Sequence, residues 1–187
     1  MRISSHGSQH DKLCRYGIFS VNFYALVYLF MNLGAFAIVI AIREETGSED
    51  IKDYFGLSSR SPFLAVTLSI FLLSLAGIPP FAGFIAKFYL FSALIDKGGT
   101  LYYAIAVAGI LNSVIALYYY AAIVKVMFFE KSDTQFPCTP SFIYTWIIIV
   151  LLIPVLVFGV YWQPVATKAS RAIPFTVSKT VSQDVNH

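Results

Sequence analysis

The chain has 187 residues, 58% of them hydrophobic and only 12% charged, with a net charge of +3 at pH 7. Soluble domains carry roughly 45–50% apolar and 25% charged residues, so an ordinary soluble domain is excluded. A charge this small, spread over loops and tails, also gives a nucleic-acid function no support. Residues 16–42, 61–86, 98–124 and 134–167 contain no Asp, Glu, Lys or Arg. Each window exceeds the roughly 20 residues a helix needs to cross the hydrocarbon core, so composition alone specifies an all-α transmembrane protein.

Residues 1–15 (MRISSHGSQHDKLCR) show no apolar periodicity and read as a disordered, solvated tail without a secretory signal. His6 and His10 stand at i and i+4 without a third ligand, His187 lies at the other end, and Cys14 and Cys138 match no metal or redox spacing. A helical membrane domain is expected over 16–162, followed by a polar tail over 163–187 that carries Lys168, Arg171 and Lys179. The first span runs from about residue 16 to 42 and is stopped at the interface by Arg43-Glu44-Glu45. Gly34, Ala35 and Ala37 within it are small enough for close helix approach.

The connection that follows is the most polar of the chain. Ser48 is placed to cap a short helix, Glu49 and Asp50 suit its positive end, and Gly56 suits its exit. Ile51, Tyr54 and Phe55 then share a face that can lie on a membrane or a partner. Ser61-Pro62 restarts a helix, serine as cap and proline in the first turn.

Residues 62–96 would extend about 52 Å as one straight helix, well beyond a ~30 Å core. Pro79-Pro80 is therefore either a tight loop between two spans or an unwound break inside one discontinuous helix. Both fit, because the prolines remove two amide donors and Gly77 and Gly83 relax the backbone on either side. Asp96-Lys97-Gly98-Gly99 turns the chain at the surface. Another span covers about 101–129, with Asn112-Ser113 near its middle, and the last covers 142–162. Pro154 lies inside that last span, and Trp146 and Tyr161-Trp162 mark its interfacial belts. The Lys/Arg distribution is nearly balanced between the two sides and sets no orientation.

Lys87 is the one charge far from an interface. A lysine near the bilayer centre costs roughly 2.5–3.5 kcal/mol on insertion scales. One reading is structural: the amine snorkels, or pairs with an acid on a neighbouring helix. Snorkelling is awkward, since Asp96 at the end of the segment is about 13 Å away along a helix. The other reading is functional, because intramembrane ionisable groups mark ion pathways and a buried lysine can exchange its proton near neutral pH. A break nearby adds unpaired carbonyls and room for water, the setting in which discontinuous helices build ion sites. Asn32, Thr67, Asn112 and Ser113 are further polar residues that can line a proton path, although such residues also serve as interhelical hydrogen-bond glue.

The stretch GIPPFAGFIAKFYLF (77–91) resembles the signature of the antiporter-like membrane subunits of respiratory complex I, the NADH-quinone oxidoreductase. The subunit it is most similar to is subunit N of the bacterial enzyme, subunit 2 of the organellar ones. The similarity extends to FYALVYLFMNLGAFAIVIAI (23–42), EDIKDYFGL (49–57) and SVIALYYYAAIVKVMFF (113–129), and covers about residues 17–162. Sister subunits have a different pattern around the equivalent lysine or carry glutamate there, so Lys87 with Phe88-Tyr89 favours subunit N.

This resemblance implies a module of two inverted repeats, each with one broken helix, that moves protons along buried lysines and glutamates. Lys87 matches the proton-relay lysine of the second broken helix, with Gly77, Pro79, Pro80 and Gly83 forming its break. It favours four membrane-spanning elements, the second discontinuous at Pro79-Pro80. The implied function is that of a membrane subunit forming part of a proton pathway coupled to quinone reduction, in a bacterial inner membrane or an organellar one. Partners would be other membrane subunits of complex I and the lipid bilayer. No cofactor is expected in this chain, which has no glycine-rich nucleotide loop or cysteine cluster; NADH, FMN, iron–sulfur clusters and quinone would belong to partner subunits. Family members carry further helices ahead of this portion, with a buried glutamate and two more lysines, so a truncated, C-terminal piece is expected. Two alternatives stand beside it: a subunit of a multi-subunit sodium/proton antiporter, and a passive helix-packing fragment in which Lys87 is replaceable.

Overall fold

The computed structural model describes residues 4–47, 50–131 and 140–160, with residues 4–14 and 160 as backbone alone. Among these residues every regular element is helical: α1 (Ser4–Thr46), a 3₁₀ turn (Ile51–Tyr54), α2 (Leu57–Arg60), α3 (Pro62–Ala76), α4 (Ala82–Lys97), α5 (Thr100–Phe129) and α6 (Phe142–Val160). The expected all-α transmembrane class is what the structure has. Three stretches are long and apolar enough to cross a membrane, Arg15–Thr46, Thr100–Phe129 and Phe142–Gly159, and Pro62–Ala76 is a shorter apolar helix.

α1 departs from expectation at its N-terminal end. It starts at Ser4, inside the segment that composition assigns to a disordered tail. No proline interrupts residues 4–46, and once the apolar segment is helical each added residue gains another hydrogen bond. Absent apolar periodicity therefore does not end the helix. At its other end α1 runs through the Arg43-Glu44-Glu45 cluster to Thr46 and is closed by Gly47, whose φ of 72° lets its N–H reach the Arg43 carbonyl at 2.8 Å. Ser48, Glu49, Cys138, Tyr161, Trp162, the tail 163–187 and the three N-terminal residues lie outside the described residues.

The polar connection forms the 3₁₀ turn, and Gly56, with φ 60°, turns the chain into α2. Arg60 Nη1 donates to the Asp53 carbonyl at 3.2 Å and ties the two together. Ser61 precedes α3 as expected, with Pro62 in the first turn, but its hydroxyl makes no cap bond. Its backbone (φ −149°, ψ 88°) is off the extended conformation that aims a cap hydroxyl at the helix.

The choice between loop and broken helix is settled by what α3 and α4 touch. Along α1, Gly34 meets Phe71 and Met31 meets both Ser74 and Gly83. Further toward the N-terminus Phe23 packs edge-on to Tyr89, with ring centroids 6.2 Å apart, and Tyr16 packs with Ile85 and Tyr89. The contacts advance in one direction along α1 as the chain passes from α3 through the break into α4. The two helices, of 15 and 16 residues, are thus two halves of one element lying antiparallel to α1. Together they extend about 46 Å, matching the roughly 45 Å of the 30-residue α5.

α5 packs on α3 and α4, and α6 packs on α1 with further contacts to α4 and α3. α6 runs antiparallel to α1: Tyr144 donates to Glu44 Oε1 at 2.6 Å at one end, and Phe158 packs edge-on to Phe23 at the other. Between lipid-facing helices there is no hydrophobic drive to associate, so close packing must do it. At Gly34 a Cβ would collide with the Phe71 ring, and at Gly109 with the Phe91 ring; each glycine is the socket for an aromatic knob. Phe71, Met31, Ile38, Leu64 and Leu68 form the buried centre around the first of these.

Candidate functional site

The site begins as a helix-end problem. The last four carbonyls of α3, those of Leu73, Ser74, Leu75 and Ala76, have no partner within their helix. Gly77, with φ 87°, closes part of the end: its N–H reaches the Leu73 and Ser74 carbonyls at 3.1 and 3.0 Å, and Ile78 N–H reaches Leu73 at 3.1 Å. This is a Schellman-type cap. Pro79 and Pro80, joined by a cis peptide bond, contribute no N–H groups, so the chain offers nothing further to Leu75 and Ala76.

Lys87, in the second turn of α4, supplies what is missing. Its Nζ donates to the Leu75 carbonyl at 2.9 Å and to the Ala76 carbonyl at 3.1 Å. The third partner is Ser113 Oγ of α5 at 3.1 Å, and Ser113 itself donates to the Gly109 carbonyl at 2.9 Å. An ammonium has three donors and no acceptor, and here it meets three neutral oxygens. Among the described residues no carboxylate pairs with it, so a structural ion pair is not what is built. The compensating charge is the partial negative end of α3.

The opposite side of the break is closed in the reverse sense. Phe81, at the N-cap of α4, makes no side-chain cap bond. Instead Ser74 Oγ, fully buried in α3, accepts Gly83 N–H at 3.1 Å and donates to Met31 Sδ of α1 at 2.9 Å. Gly83 allows the two helix ends to abut, since a Cβ there would run into the Ser74 carbonyl. Gly159 of α6 lies against the same turn, where a Cβ would be 2.7 Å from the Pro80 carbonyl oxygen and 3.0 Å from Ala82 N.

Lys87 is half-buried and edges a cleft of about 430 Å³ between α4 and α5, whose walls include Gly77, Phe84, Phe88, Phe91, Ile110 and Val114. Of the polar residues singled out in the sequence, Ser113 alone hydrogen-bonds Lys87. Asn32 donates to the Tyr28 carbonyl of its own helix at 2.8 Å, Thr67 is buried in α3, and Asn112 is exposed. Gly77, Pro79, Pro80 and Gly83 all fall in or beside the break. Ser74 is not among the residues that sequence reasoning picks out. Its only signal there is a hydroxyl three residues ahead of Gly77 in an apolar run. Among the described residues no group of three or more His, Cys, Asp or Glu is placed to hold a metal ion.

A family model described as NADH:quinone oxidoreductase/Mrp antiporter, TM, matches residues 12–116. The chain belongs to this family. The matched stretch holds most of α1, all of α3 and α4, the break with Lys87, and Ser113. Among curated relatives, NADH-quinone oxidoreductase subunit N 2 of Sorangium cellulosum is 44% identical over 158 residues, 84% of this chain and 31% of that protein. Subunit N of Anaeromyxobacter sp. is 45% identical over 162 residues, 82% of this chain and 31% of that protein. The chloroplastic NAD(P)H-quinone oxidoreductase subunit 2 of Nephroselmis olivacea is 52% identical over 111 residues, 59% of this chain and 21% of that protein. The chain spans about a third of the length of the bacterial relatives. These names bear out the resemblance to subunit N drawn from residues 77–91, and the chain is a multi-pass membrane protein.

Proposed function

We propose that this chain forms part of the proton pathway of an NADH-quinone oxidoreductase, with Lys87 as the group that takes up and releases the proton. The observation that carries this reading is the environment of Lys87, an intramembrane amine bound by three neutral oxygens at a helix break. Among the described residues no counter-ion fixes its charge state, and an open cleft of about 430 Å³ lies beside it. A proton can then reach and leave the amine without an ion pair being broken. The relatives' names, NADH-quinone oxidoreductase subunits, support the setting of a larger redox complex. In this reading the other membrane subunits are the partners, and a bacterial inner membrane or an organellar membrane is the location. NADH, flavin, iron–sulfur clusters and quinone are bound by partner subunits. The oxidoreductase activity belongs to the assembled complex.

The test is Lys87→Ala and Lys87→Arg in the chain within its assembled complex, read as proton pumping and coupled quinone reduction. Alanine removes the cap as well as the titrating group. Arginine keeps a cation and hydrogen-bond donors but cannot release its proton. Both variants are expected to lose most coupled pumping while the complex still assembles. Wild-type pumping by either assembled variant would sink the relay reading.

The family description also names Mrp antiporters, which keeps a sodium/proton antiporter subunit as the second reading. Purification with redox-active subunits decides against it, and sodium-dependent proton exchange without them decides for it.

A further inference from the structure

We propose that Ser113 is the positioning residue that serves Lys87 in both of its protonation states, by turning its hydroxyl between the Gly109 carbonyl and the lysine nitrogen. This rests on the relay reading of Lys87 and adds to it the group that makes the exchange reversible.

The case follows from donors and acceptors. With Lys87 charged, three donors face three oxygens: the Leu75 and Ala76 carbonyls and Ser113 Oγ. The Ser113 proton is then directed at the Gly109 carbonyl. When the ammonium gives one proton to a water molecule in the cleft, the nitrogen keeps two N–H donors and gains a lone pair. The two carbonyls can only accept, so they suit the two remaining donors and cannot serve the lone pair. Of the three partners the serine hydroxyl alone is both donor and acceptor. Rotating about its Cβ–Oγ bond, it can leave Gly109 and donate to the amine. Ser113 keeps its own proton throughout. The Gly109 carbonyl released in that rotation still holds its place in the α5 hydrogen-bond ladder. Without the hydroxyl, the neutral amine would carry an unmatched lone pair and the charged one would lose an acceptor. Both states would cost more, and a bond to a charged group is among the stronger ones. The other side chains lining the cleft from α3, α4 and α5 are apolar apart from Ser92, and of the two serines it is Ser113 that hydrogen-bonds the amine.

The test uses the assembled complex and four variants: Ser113→Ala, Ser113→Val, Ser113→Thr and Lys87→Ala, with Lys87→Ala/Ser113→Ala as the double variant. Valine and threonine have the same shape and differ by the hydroxyl, and threonine can make the same bond to the carbonyl four residues back. Alanine and valine are expected to slow coupled proton pumping about tenfold with assembly intact, and threonine to restore it to within about twofold. Ser113→Ala is expected to add nothing in the Lys87→Ala background. If valine pumps as well as threonine, or threonine is as slow as valine, the hydroxyl is not the active feature and the proposal is overturned, while a defective Lys87→Ala leaves the relay reading standing. If Lys87→Ala pumps like the wild type, the relay reading falls and this proposal with it.

Discussion

Ser74 and Lys87 close one backbone break from opposite sides. Ser74 Oγ, on α3, accepts the Gly83 N–H of α4 at 3.1 Å, while Lys87 Nζ, on α4, donates to the Leu75 and Ala76 carbonyls of α3 at 2.9 and 3.1 Å. Each half-helix therefore supplies the cap the other lacks. In hydrocarbon a free backbone N–H or C=O costs several kcal/mol, so a break there must be satisfied from within the protein. The same lysine that completes the structure is the residue proposed for proton exchange. Its contacts hold it at the point where α3, α4 and α5 meet.

The serine half of this arrangement can be tested without touching the lysine. Ser74→Ala removes the acceptor for a buried amide and creates little empty volume. It is expected to destabilise the chain by about 1–3 kcal/mol. The specific sign is faster hydrogen exchange in the peptide containing Gly83, with Lys87 still in place. Unchanged protection at Gly83 would show that another group satisfies that amide.

Gly77 makes a second, steeper prediction. At φ 87° an L-residue pays roughly 1–2 kcal/mol, and a Cβ there would sit 3.1 Å from Lys87 Cδ and 3.4 Å from Nζ. Gly77→Ala should therefore lower the thermal stability of the assembled complex and its coupled activity together, because strain and displacement fall on the same group. Gly17→Ala is the control. Beyond the local backbone of α1, no atom lies within 4 Å of a Cβ at that position, and inside a helix alanine is favoured over glycine by about 1 kcal/mol. If both alanines behaved alike, the special role of Gly77 would be lost.

A lysine in a charge-free run and a Pro-Pro pair between glycines are local anomalies, so Lys87 and the break are legible in the sequence itself. The choice between a loop and a broken helix is not, because it depends on where α3 and α4 lie along α1. Nor does the sequence single out Ser113 from Asn32, Thr67 and Asn112. α5 is apolar around most of its circumference, and in lipid a face that meets protein resembles one that meets acyl chains. Asn112 and Ser113 are neighbours in sequence, and the register of Gly109 on Phe91 is part of what turns the second of them to Lys87. The N-terminal extension of α1 is hidden for a different reason: a polar segment gives no periodic signal, yet nothing in it stops a helix already formed.

The third prediction concerns α6, which does not hydrogen-bond Lys87 yet bears on the turn below it. Gly159 lies close to the Pro80 carbonyl oxygen, Ala82 N and Phe81 Cα, at 2.7, 3.0 and 3.2 Å from the place of a Cβ. These are backbone atoms, which cannot swing aside as a flexible side chain would. Gly159→Leu must therefore push α6 away or shift the break, at a cost of about 1–3 kcal/mol for overpacking. A shifted break moves the first turn of α4 relative to the α3 carbonyls that hold Lys87. The expected result is a loss of coupled proton pumping that exceeds the fall in assembled complex, although the substituted residue is on a different helix from every partner of the lysine. Val157→Leu is the matched control, since Val157 is on the same helix and 47% exposed; it should leave both measurements near wild type. If Gly159→Leu pumped normally once assembled, α6 would be acting as packing alone, and the geometry of the lysine site would depend on α3, α4 and α5 without it.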